Sequence, residues 1–178
     1  MLRRLRIRAI PVVLAAACIA ATADELDDVA KLRRDNQPAA ALERADRYIA
    51  EHPRDAQMRF MRAVILADMG RTEDATQALE RLTEDFPDLP EPYNNLAVLY
   101  AARGDYGQAR HALDEALRLR PDYATAHENL GDVYAALAAS AYATALRLDR
   151  DRPGLARKLA AVRSAFAASA AASSASAP

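Results

Sequence analysis

Three kinds of marker residue recur along this chain with a single period. Pro53, Pro87 and Pro121 stand 34 residues apart, as do Ala41, Ala75 and Ala109, and again Asn36, Gly70 and Gly104. Such a period describes a small unit stacked on copies of itself, because one unit alone leaves an apolar face uncovered. The unit is clearest over residues 88–121. Leu96, Val98, Leu99 and Tyr100 mark its first half, and Ala109, Ala112, Leu113, Ala116, Leu117 and Leu119 its second. Both halves keep the rhythm of a helix with one buried stripe. Gly104 suits the left-handed turn that ends one helix, and Asp105 suits the cap of the next. Pro90 and Pro92 fit only a first helical turn, and Pro121 closes the second helix. The unit is a helical hairpin. Hydrophobic residues make up 52% of the chain, but much of this is Ala, with only 6% aromatic residues and no Trp. Such Ala-rich, Gly-poor sequence favours helix, and no stretch alternates like a strand, so an all-α protein is expected.

Within the hairpin, Tyr93, Leu96-Ala97, Tyr100, Ala109, Leu113, Ala116 and Pro121 form a spaced signature. It recurs as His127, Leu130-Gly131 and Tyr134. Upstream, Ala75, Leu79 and Pro87 fit it, while Arg59, Arg62-Ala63 and Leu66 depart from it. The signature resembles that of the tetratricopeptide repeat (TPR) family, in an exported protein of bacterial type, and the resemblance covers residues 24 to about 150. It implies a TPR-like solenoid of about three full 34-residue repeats, one shortened repeat and a C-terminal capping helix. The expected hairpins are 24–53, 54–87 and 88–121, then the shortened unit 122–150 and a capping helix over 153–166, all within a domain 24–166. Residues 167–178 collapse to Ala, Ser and Pro and read as a disordered tail.

The shortened unit begins and ends as a good repeat, but its small marker, Ala138, follows Ala109 by 29 residues. Five residues, including the turn, are missing, and no Gly, Pro, Asn or Asp punctuates residues 134–145. Leu130, Tyr134, Leu137, Ala141, Ala145 and Leu148 continue one stripe, which predicts two helices fused into one.

Residues 1–23 are of another kind. Arg3, Arg4, Arg6 and Arg8 form a basic head, residues 9–23 carry no charge, and Ala21-Thr22-Ala23 offers a small-residue cleavage site before Asp24. This reads as a secretory signal peptide, with cleavage between Ala23 and Asp24 and a periplasmic or secreted product. Its apolar run falls short of the ~20 residues that span a bilayer, so no integral membrane span is expected in the mature chain. Cys18 follows a poor lipoprotein motif, with Leu14 one place too early, which leaves a lipid-anchored envelope protein as a second reading. Cys18 is also the only cysteine, so cleavage leaves no thiol and no disulfide. From residue 24 onward the chain holds 20 basic and 25 acidic residues, a net charge of −5 that argues against nucleic acid as partner.

Little in the chain suggests chemistry. There is no Gly-rich phosphate loop, and His52, His111 and His127 share no metal-binding spacing. No cofactor, metal site or catalytic group is expected, and the chain reads as a non-enzyme. Glu128 and Asp132 share a helix face, but general acid–base work needs a desolvated cleft rather than an open groove.

The TPR resemblance implies instead a concave groove lined by the first helix of each hairpin. Its inward positions would be Gln57, Phe60, Val64 and Asp68, then Glu91, Asn94, Val98 and Ala101, then Thr125, Glu128 and Asp132. The family's clamp for C-terminal carboxylates, built of Lys, Arg and Asn, is absent from these positions. An extended protein or peptide segment of basic or amide character suits them better, with Phe60 and Val98 as apolar contacts and Asn94 reading backbone. The expected role is an adaptor or assembly factor in the cell envelope that binds a protein partner through this groove. The alternative is a self-associating structural module whose fused helix pairs between chains, and the sequence leaves the oligomeric state open.

Overall fold

The computed structural model describes residues 25–149, 152 and 154–175, with the side chains of the last helix as far as 165. The leader and its cleavage site therefore lie outside the described residues. Among those described there are eight helices and no strand. They are α1 (25–34), α2 (Pro38–Glu51), α3 (Ala56–Asp68), α4 (Thr72–Asp85), α5 (Pro90–Ala102), α6 (Tyr106–Leu119), α7 (Ala124–Leu148) and α8 (Leu155–Ala175). The chain divides into two compact units between Arg71 and Thr72, at the turn inside the second expected hairpin.

The 34-residue period is visible in the backbone itself. Asn36, Gly70 and Gly104 take positive φ angles of 55°, 72° and 82°. In each case the next N–H reaches five residues back, from Gln37 to Leu32, Arg71 to Leu66 and Asp105 to Tyr100, all at 2.9 Å. The left-handed residue's own N–H bonds to Arg33, Ala67 or Ala101, which completes a Schellman termination at each site. The proline markers recur in the same way. Asp55, Leu89 and Tyr123 donate to the carbonyls of His52, Phe86 and Arg120, closing four-residue turns with Pro in second position. Asp105 does occupy the N-cap of α6, but its side chain makes no capping bond there. The Asp55 side chain caps α3, accepting from Met58 N–H at 2.8 Å.

The first unit buries Val29, Ala41, Leu42, Ala45, Met58, Ala63, Ile65 and Leu66. Arg44 on α2 ties down α1 by donating to Glu25 at 2.8 and 3.1 Å and pairing with Asp28. These pairs are part-exposed, so they set geometry more than they add stability. In the second unit Ala75, Leu79, Leu82, Leu96, Ala97, Ala109, Leu113 and Ala116 form the core, with Pro90 and Pro92 buried in the first turn of α5. Ala41, Ala75 and Ala109 are each fully buried. A methyl group at these positions lets each helix lie close to its neighbours, which is why the marker is Ala.

α7 is a single helix of 25 residues, as the lost turn predicts. It packs against α6 and α8 and touches α5. α8 corrects the expected boundary. It runs on to Ala175, so the Ala/Ser stretch from 167 continues the capping helix instead of forming a disordered tail. Ala is the strongest helix former, and no Gly or Pro interrupts residues 155–175. Among the described residues no helix is long and apolar enough to cross a membrane.

Candidate functional site

The expected groove positions fall in both units. In the first, Gln57, Phe60, Val64 and Asp68 are spaced three or four apart along α3 and share one face. Gln57 and Asp68 are exposed, and Phe60 and Val64 half-buried. Asp68 is not a bare groove acid, because Arg33 donates to it from α1.

The second unit brings three expected residues into one place. Val98 and Ala101 on α5 and Asp132 on α7 line a cleft of about 250 Å³, with Leu113 and Tyr106 of α6 and Asn129 completing its wall. Val98 is 48% exposed, a large apolar side chain left half in water at the mouth. Asp132 and Asn129 supply the polar edge. The other expected residues stand apart from this cleft. Glu91 accepts from Arg120 and is held in that pair. Thr125 and Glu128 are exposed on α7, with Glu128 one turn ahead of Asp132.

Asn94 corrects its expected part. It is only 5% exposed, and its Oδ1 accepts from Asn129 Nδ2 at 2.9 Å. The amide expected to read a partner's backbone instead joins α5 to α7 and fixes the orientation of Asn129. The sequence signal for this pairing is Asn129 itself. It lies 34 residues after Asn95 and one place beyond Glu128, the expected inward position.

A second, more polar cleft of about 280 Å³ lies among α4, α5 and α6, where Glu80, Glu84 and Glu115 meet Tyr93, Tyr100 and His111. Tyr100 donates its hydroxyl to Glu80 at 2.8 Å. Burial, then the bond to Glu80 and its charge, push the Tyr100 phenol up to about 12. Among the described residues no group of three His, Cys, Asp or Glu is arranged to hold a metal ion. His127 takes the place that Tyr93 holds one repeat earlier. Its Nε2 lies 2.9 Å from the Pro121 carbonyl, as the Tyr93 hydroxyl lies 3.3 Å from that of Pro87.

Known proteins share this architecture. Residues 31–90 match the family model described as tetratricopeptide repeat, and residues 99–137 match that described as TPR repeat. Together they span more than half of the chain. Among solved structures, the chain is similar to TTC0263, a thermophilic TPR protein of Thermus thermophilus. The identity is 25% and the TM-score 0.60, over 80% of this chain and 81% of that one. It is similar to YrrB, described as a TPR protein with an unusual peptide-binding site, at 26% identity and a TM-score of 0.55, over 58% of this chain and 54% of YrrB. The first TPR of Spaghetti (RPAP3), bound to the HSP90 peptide SRMEEVD, shares the fold at 15% identity. Its TM-score is 0.60, over 64% of this chain and 90% of that one. No curated protein sequence matches the chain.

Proposed function

The chain belongs to the tetratricopeptide repeat family, and we propose that it is an exported scaffold that binds a protein partner, acting as an adaptor or assembly factor in the cell envelope. The observation that carries this reading is the cleft of about 250 Å³ beside α5 and α7, where half-exposed Val98 sits opposite Asp132 and Asn129. A partner segment would set a small apolar side chain against Val98 and Ala101 and an amide or basic group toward Asn129 and Asp132. The peptide-binding description of YrrB supports the same kind of use. A scaffold role without catalysis fits the TPR fold, and the acidic balance of the chain beyond residue 24 disfavours nucleic acid. Export rests on the basic head, the apolar run and the Ala21-Thr22-Ala23 site.

The test is affinity capture from an envelope fraction, comparing the parent with Val98→Glu and with Glu128→Lys/Asp132→Lys at unchanged thermal stability. The same partner should be lost from both variants. N-terminal sequencing of the exported protein should begin at Asp24. Full partner retention by both variants, or a product that keeps the arginine-rich head, counts against the reading.

A further inference from the structure

The cleft beside Val98 has an apolar floor and a polar rim, and the two together narrow what a partner brings to it. On the floor, Ala97, Leu113 and Val133 are buried, and Ala101 adds a methyl group to the wall. On the rim, Asn129 and Asp132 lie three apart on α7, one turn along the same face. Asn129 spends an amide N–H on Asn94 Oδ1 at 2.9 Å, and Asn94 does not line the cleft. Asn129 Oδ1 is left as the amide's acceptor for an occupant. An ionised Asp132 carboxylate has acceptor sites only, and the Tyr106 hydroxyl serves either way. No Lys or Arg lines the cleft.

An occupant that satisfies both parts presents an apolar stem to the floor and a charged donor to the rim. A carboxylate would meet acceptors and like charge. An amide would bring donors without charge, and a carbonyl oxygen with them. Lysine carries a compact ammonium with three donors at the end of a four-carbon stem, and such stems bury readily along apolar surface. An ammonium can bridge two acceptors one helical turn apart, whereas the planar fork of arginine matches the two oxygens of a single carboxylate. The surroundings favour a cation as well, because residues 72–146 hold 13 acidic and 5 basic residues, a net charge of −8. Nor does packing of the repeat require the acid, since the counterpart of Asp132 one period earlier is Val98. Resting on the protein-binding reading, we infer that the cleft receives one lysine side chain of the partner, with its stem on Ala97, Ala101 and Val133 and its ammonium between Asn129 and Asp132.

The test is an NMR titration of the purified protein with blocked Gly/Ala pentapeptides that differ only in a central lysine, norleucine, Nε-acetyl-lysine or arginine. Norleucine keeps the stem and removes the ammonium. The lysine peptide should shift the methyl signals of Ala101 and Val133 and the side-chain amide of Asn129. It should bind about tenfold or more tightly than the norleucine and acetyl-lysine peptides, and more tightly than the arginine peptide. Asp132→Asn keeps the shape of the rim and removes its charge, so it should erase the advantage of lysine and leave the norleucine peptide unchanged. A norleucine peptide that matches lysine overturns the lysine assignment but not the protein-binding reading, which capture from the envelope fraction judges separately. An arginine peptide that binds as tightly as lysine, or a lysine peptide that shifts none of these signals, also overturns the assignment.

Discussion

Tyr100 shows how one side chain links packing to a solution property. Its hydroxyl bond to Glu80 holds α5 against α4, and its phenol is pushed up to about 12. The unfolded phenol titrates near 10, so the folded state resists ionisation more than the unfolded state does. A group raised in this way contributes stability fully below about pH 10 and loses it as pH rises toward 12. Burial first, and nearby carboxylates after it, also raise Tyr48 and Tyr93. Denaturant unfolding across alkaline pH should therefore show falling stability above about pH 10, with a shallower decline in Tyr100→Phe. An identical decline in the variant would separate Tyr100 from the effect. At this scale the sequence is readable where register alone decides, as for Val98, Ala101 and Asp132. It is not readable for Asn94, because a groove amide and an interface amide look alike until Asn129 arrives from the next hairpin.

The three Schellman turns carry most of the information at the scale of elements. They are identical in hydrogen bonding, yet one uses Asn where the others use Gly. A Cβ in the left-handed region costs up to about 1–2 kcal/mol, and less for Asn. Gly104→Ala should destabilise by about 1 kcal/mol, and Asn36→Gly should stabilise by a few tenths to about 1 kcal/mol, both measured by equilibrium unfolding. A Cβ added at Gly104 would strike nothing, so any loss there reports the backbone alone. Helix boundaries are legible wherever such a turn or a proline marks them. The fusion of α7 is legible from the absence of any breaker. The extension of α8 is not, because Ala-rich sequence of low complexity supports helix as readily as disorder.

For the whole molecule, the period of 34 residues gives the family and the hairpins, while function depends on what the hairpins leave uncovered. In the second unit the cleft beside Val98 is such an uncovered feature. The cleft is not legible as a volume, since its walls come from three helices whose spacing depends on packing. The most direct test of the protein-binding reading places a photo-crosslinking amino acid at Val98 in cells, with Arg110 on the exposed face of α6 as the control position. The expected result is a crosslink from position 98 to one other polypeptide, abolished by Glu128→Lys/Asp132→Lys. Crosslinks from position 110 with none from position 98 would contradict it.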